Sequence, residues 1–130
     1  MLNKQNYEFS FSGLKTSVLY YLRDNPKANK ADVAASFQQA VIDVLVKKTV
    51  RAAEEYKAKS ILLCGGVSAN KTLREKLELE AKSYKLKADI FSPEKIYCTD
   101  NAAMIGAYAL LNPREESWRT VNADPELYFS

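Results

Sequence analysis

The chain has 130 residues, 47% of them apolar, which is enough for one domain with a single core. Lys and Arg outnumber Asp and Glu by 19 to 16, and a net charge of +3 does not by itself imply a nucleic-acid partner. The sequence contains no histidine, which excludes serine-type triads and histidine-built zinc sites completed within these residues.

From the N-terminus, Tyr7, Phe9 and Phe11 alternate with Glu8, Ser10 and Ser12, the period-two pattern of a half-buried strand, with Gly13 as its exit. Leu14, Val18, Tyr21 and Leu22 then recur at helical spacing up to Asp24-Asn25-Pro26, where the proline disfavours helix in the residue before it. The longest helix is predicted from a cap at Asn29 to about Tyr56, on the repeat of Val33, Phe37, Val41, Val44, Leu45 and Ala52. Ile42 and Val46 widen its apolar arc, so contact on more than one side is expected.

Ser60-Ile61-Leu62-Leu63-Cys64 is an apolar run closed by Gly65-Gly66, as expected of a parallel strand covered on both faces. In the helix that follows, Ser68 or Asn70 can cap, and Leu73, Leu77, Ala81 and Tyr84 form the stripe. Lys71, Arg74, Lys76 and Lys82 read as pointing outward. Residues 88–91 form another short strand, ended at Pro93. Asp100-Asn101 leads into a helix over 102–111 with Met104, Ile105, Tyr108 and Leu111 on one face, stopped by Asn112-Pro113.

Strand, helix, strand, helix from Ser60 onward predicts an α/β fold with a right-handed parallel crossover. Residues 112–130 show no sustained period and read as a tail. No stretch approaches the ~18 to 20 apolar residues of a membrane span, and the first six residues lack the apolar region of a signal peptide. Cys64 and Cys98 lie far apart without CxxC spacing. The expectation is a cytoplasmic protein with no membrane association and no disulfide.

Three segments could carry chemistry. Residues 65–70 (GGVSAN) stand between a buried strand and a helix N-terminus, where free backbone N–H groups and the helix dipole favour a nucleotide or phosphate. Two glycines let a ligand approach the backbone, and the Asn70 amide can donate and accept together. The same residues equally serve as a tight turn and a helix cap. Asp100 puts a carboxylate at a helix start, where it can bind a metal ion or simply cap. Lys15, in a turn with two hydroxyls nearby, could meet a phosphate or remain solvated. Lys47, Lys48 and Arg51, and the lysines after Lys71, read as solvated faces.

Taken in order, residues 9–16 (FSFSGLKT), 65–74 (GGVSANKTLR) and 98–106 (CTDNAAMIG) resemble the family that transfers threonylcarbamoyl to the tRNA adenosine beside the anticodon. That family was formerly labelled O-sialoglycoprotein endopeptidase or glycoprotease. The resemblance implies the actin, sugar-kinase and Hsp70-type ATPase fold, with residues 7–111 as its ribonuclease-H-like second lobe and 112–130 as a C-terminal tail. It implies that Gly65, Gly66 and Asn70 contact an adenine nucleotide or threonylcarbamoyl-AMP, and that Asp100 is a ligand of a divalent metal, iron or zinc. No residue of this chain is carried over as catalytic.

The family's other metal ligands are two histidines of the first lobe, which a histidine-free chain cannot supply. The resemblance therefore implies part of a longer protein, inactive by itself, whose partners are an N-terminal lobe, tRNA, an actin-like paralogous subunit and an ATPase subunit of the bacterial transfer complex. An uncovered interlobe face also leads to an expectation of self-association. Two other readings are a metallopeptidase, which HExxH-type ligands would have to support, and a non-catalytic actin-like interaction module.

Overall fold

The computed structural model describes residues 6–113 and Arg119. In chain order it contains α1 (Ser12–Asp24), α2 (Lys30–Glu55), β1 (Ser60–Leu62), a 3-10 turn (Gly66–Ala69), α3 (Lys71–Ser83), β2 (Asp89–Phe91), a second 3-10 turn (Lys95–Tyr97) and α4 (Ala102–Leu111). β1 and β2 pair in parallel with Ser60 opposite Asp89, Ile61 opposite Ile90 and Leu62 opposite Phe91. The α/β class and the crossover through α3 are therefore as expected. No helix among the described residues is long and apolar enough to cross a membrane.

α2 starts where its sequence says it must. Asn29 has extended backbone, and its side-chain oxygen accepts from the Ala31 N–H at 3.0 Å. At the other end Lys57 adopts φ +49°, Lys57 N–H donates to Glu54 O, and Ala58 N–H reaches back to Ala53 O at 2.9 Å. This is a Schellman closure with lysine in the left-handed position that glycine usually takes. α3 ends the same way, with Lys85 at φ +52° and Leu86 N–H on Ala81 O.

The core lies between α2, α3 and one face of the sheet. Ile42, Val46, Val50 and Ala53 recur every three to four residues along α2, and they meet Ile61 of β1 and Leu73 and Leu77 of α3. Leu77 is fully buried, so its truncation to alanine would cost about 2–5 kcal/mol. Ile42 and Val46, expected at the flank, are thus at the centre. Val44 and Lys48 are buried on a different side of α2, so the expected contact on more than one side is present.

Several expectations are corrected. Residues 7–11 form no strand, because a strand needs a neighbour to complete its hydrogen bonds and none lies alongside among the described residues. The segment is held against α2 by side chains instead. Lys48 Nζ donates to Glu8 O at 2.7 Å and to Asn6 Oδ1 at 3.2 Å, the Arg51 guanidinium lies 4.8 Å from the Tyr7 ring centre, and the Tyr7 hydroxyl donates to Glu55. Lys48 is buried and Arg51 half-buried, so neither is the solvated residue its charge suggested.

Second, β1 is covered on one face only: Ile61 is buried while Leu62 is 73% exposed beside an exposed Phe91. Third, Arg74 and Lys76 do not point into solvent. Lys76 pairs with Asp43 of α2, and Arg74 bridges two loops. Fourth, Tyr84 caps α3 at its C-terminus and is exposed rather than part of the stripe. α4 forms as predicted, yet Met104, Ile105, Tyr108 and Leu111 are all exposed.

Candidate functional site

The turn after β1 is shaped by Gly65, whose φ of +76° and ψ of 170° fall in a region essentially reserved for glycine. It turns the chain out of the sheet into the 3-10 turn. Ser68, buried beneath that turn, closes it by donating its hydroxyl and its N–H to Gly65 O, at 2.7 and 3.0 Å. The N–H groups of Gly66 and Val67 form no hydrogen bond with described residues. They are donors of the kind a phosphate or ribose accepts.

α3 proper begins at Lys71, and Asn70, not Ser68, caps it: its Oδ1 accepts from Leu73 N–H at 3.1 Å. The Asn70 Nδ2 donates to Gln38 Oε1 of α2 at 2.9 Å. Each atom keeps capacity, one lone pair on Oδ1 and one hydrogen on Nδ2. Beside this amide pair, a cavity of about 310 Å³ opens between α2 and the turn. Its walls are Phe37, Val41 and Ile42 on one side and Val67 and Leu73 on the other. An apolar slot ending in two amides has the chemistry of a site for a flat heterocycle with polar edges.

The CTDNAAMIG segment comes to the same place. A Cβ on Gly66 would stand 3.6 Å from the Thr99 methyl, so Thr99 lies across the glycine turn and Asp100 is the next residue. Asp100 is not the cap of α4. Asn101 caps it, with Oδ1 accepting from Met104 N–H at 3.0 Å, which leaves the exposed Asp100 carboxylate without a hydrogen bond or ion pair among the described residues. No cluster of three or more His, Cys, Asp or Glu side chains exists among the described residues.

Arg74 ties the two segments. Its Nε donates to Ser68 O at 2.5 Å, and its Nη2 lies 2.8 Å from Pro93 O and 3.2 Å from the Cys98 thiol. Its charge had marked it for solvent. The signal that could have found it is its place one residue after Leu73, at the edge of the buried stripe. Both Cys64 and the buried Cys98 are free thiols. The third segment does not line this slot: Ser12 opens α1, and Lys15 lines a neighbouring hollow between α1 and α2 with Val18, Leu22 and Lys30, which shares Phe37 with the slot.

Comparison with known proteins gives the family. Residues 1–107 match the profile of the family described as TsaD: tRNA N6-adenosine threonylcarbamoyltransferase. A protein of Kosmotoga olearia with that name is 46% identical over 127 residues, covering 98% of this chain. Proteins of the same name from Moorella thermoacetica and Francisella tularensis subsp. holarctica are 47% identical over 132 and 128 residues, covering 97% and 94% of the chain. In each case the match covers 38% of the relative, so the chain spans about two-fifths of the length of these proteins. The chain belongs to the tRNA N6-adenosine threonylcarbamoyltransferase family.

Proposed function

We propose that this chain supplies the nucleoside-binding half, and one metal ligand, of a two-lobed enzyme that transfers threonylcarbamoyl from threonylcarbamoyl-AMP to a tRNA adenosine. In this reading residues 7–111 are the ribonuclease-H-like second lobe of an actin-type ATPase fold, and 112–130 are its tail. One observation carries the reading: Val67 and the Asn70–Gln38 amide pair line one slot against α2, and Gly66, next to Val67, faces Thr99, the residue before Asp100.

The adenine of the donor lies in the slot against Phe37, Val41 and Leu73, with its edge toward Asn70 and Gln38. Gly65 and Gly66 keep Cβ atoms away from the ribose and phosphate, and the Gly66 and Val67 N–H groups donate to them. The target adenine N6 attacks the carbamoyl carbon of the mixed anhydride. The bond from that carbon to the phosphate oxygen breaks, AMP leaves, and the N6 proton passes to solvent or base. The groups on this chain hold the leaving nucleotide in place. A divalent iron or zinc ion, when bound, polarises the carbonyl and offsets phosphate charge. Asp100 fits one ligand of that ion, the remaining ligands coming from a first lobe.

The bare side of the fold supports the same reading. Leu62 and Phe91 on the open face of the sheet, and Ile105, Tyr108, Leu110 and Leu111 on α4, are apolar and more than half exposed. Covering them is the work of the rest of the protein, and the chain alone self-associates through them, which light scattering at rising concentration measures. The same reading places the protein in the cytoplasm with tRNA, an actin-like paralogue and an ATPase subunit as partners.

The test is calorimetric titration with AMP of the chain reunited with the N-terminal portion of a relative. Binding that is lost on Asn70→Ala supports the reading, and no binding by the unmutated protein defeats it. A metal-dependent peptidase activity abolished by Asp100→Ala would favour the older family label instead.

A further inference from the structure

We propose that Arg74 is a positioning residue that joins the nucleotide turn to the Asp100 loop, so that the two halves of the site open and close as one unit. The inference rests on the reading above for what the two loops do, and on geometry alone for their being joined. Three contacts carry it. The guanidinium reaches Ser68 O on the glycine turn, Pro93 O at the start of the second loop, and the Cys98 thiol two residues before Asp100.

The second loop has little else to hold it. β2 ends at Phe91, the 3-10 turn Lys95–Tyr97 is a single turn, and α4 beyond it is exposed along its whole length. Cys98 is the one buried residue of the segment 92–101, and its sulfur takes the Arg74 donor while lying 3.5 Å from Glu94 O. Thr99 faces Gly66 without a hydrogen bond: its methyl stands 3.6 Å from where a Cβ on Gly66 would lie, a position the glycine leaves empty. Arg74 itself is fixed by its neighbours Leu73 and Leu77 in the core, so the clamp is anchored to the most buried part of α3.

Arginine is the one side chain suited to this task. Its planar fork presents donors in several directions at once from a permanently charged group. A lysine at 74 could satisfy Ser68 O or Pro93 O from a single point, but it could not hold both loops in fixed relation. Loss of charge-assisted bonds at a loop with few other contacts raises its local opening by about tenfold or more.

Hydrogen exchange with mass spectrometry on the 130-residue chain tests this directly. In Arg74→Met, exchange is expected to accelerate about tenfold at both 66–70 and 95–101, with residues 77–81 in the middle of α3 unchanged. A change at one loop only, at neither, or equally throughout α3 overturns the proposal. The last pattern is what general destabilisation gives. Should Arg74→Met fail to fold, Arg74→Lys decides: protection is retained at one of the two loops and lost at the other, whereas protection kept at both overturns the clamp. Titration of the reunited protein with AMP separates the two ideas. A chain that shows coupled exchange while the reunited protein binds no AMP keeps the clamp and loses the nucleotide reading. AMP binding with uncoupled exchange does the reverse.

Discussion

Asn70 carries two roles that substitution can pull apart. Alanine removes the cap on Leu73 N–H, worth about 1 kcal/mol, and the bond to Gln38, worth about 0.5–1 kcal/mol at this half-buried position. The sum, about 1.5–2 kcal/mol, lowers Tm by roughly 5–10 °C in a domain of this size. Asn70→Ser keeps an oxygen that can cap and loses only the Gln38 bond, so its destabilisation stays within about 1 kcal/mol. Nucleotide affinity sorts the same variants differently, since neither alanine nor serine offers the amide edge. Thermal unfolding by circular dichroism and AMP titration of the reunited protein together read both roles. Ala and Ser are expected to be alike in weakened AMP binding and unlike in stability. If AMP affinity follows stability, with Ser near the unmutated value, Asn70 acts only as a cap and the contact to the nucleotide is refuted.

Three further outcomes follow from local geometry. Gly65→Ala places a side chain at φ +76° and costs about 1–3 kcal/mol, whereas Gly66→Ala meets only the Thr99 methyl at 3.6 Å and leaves unfolding by urea nearly unchanged. Lys57→Gly and Lys85→Gly relieve the left-handed strain at the two Schellman closures and each raise stability by about 0.5–1 kcal/mol; a loss of stability in the same assay would contradict that account. The Asp43 carboxyl is held below its ordinary value, chiefly by the hydrogen bond from Lys76 and in spite of partial desolvation, with Gln39 adding a second donor. Because the folded value is the lower one, this contribution is present above about pH 4 and is lost as pH falls through the folded value. With the side chains 29% and 32% exposed it amounts to about 0.5 kcal/mol, so Asp43→Asn is expected to lower stability slightly at pH 7 and to flatten the slope below pH 4.

The parts of the fold legible in the sequence are those set by neighbours along the chain. Asn29 and Asn70 cap helices because an amide oxygen two or three residues upstream is all that the N–H groups require, and Gly65 is called for by one backbone angle. Pro26 and Pro113 mark the ends of α1 and α4, whereas the left-handed residues 57 and 85 give no signal, because lysine stands where glycine usually does. Of the two readings open for Asp100, the capping one falls to Asn101, whose Oδ1 accepts from Met104 N–H, and the Asp100 carboxylate stays exposed. Arg74 was misread because its partners, Pro93 and Cys98, lie 19 and 24 residues away, and charge on a helix predicts solvent unless a loop folds over it.

Residues 7–11, 60–64 and 102–111 carry apolar patterns that this chain does not fully cover, and they share a different cause. Alternation in the first and continuous apolar sequence in the other two are patterns that pay off only against a second layer or a neighbouring strand. This chain provides a layer on one face of β1 and none along α4, so Leu62 and Leu110 are 73% and 84% exposed. The relatives are more than twice as long, and their additional length is where such a layer would come from. Apolar patterning therefore reports the surroundings for which a segment was selected, even when a single chain does not contain them. In the proposed two-lobed protein, the cover for α4 and for the open side of β1 comes from the same portion as the remaining metal ligands. Restoring one should restore the other: co-expression with an N-terminal portion that abolishes self-association should also confer metal binding sensitive to Asp100→Ala, and recovery of one without the other would separate them.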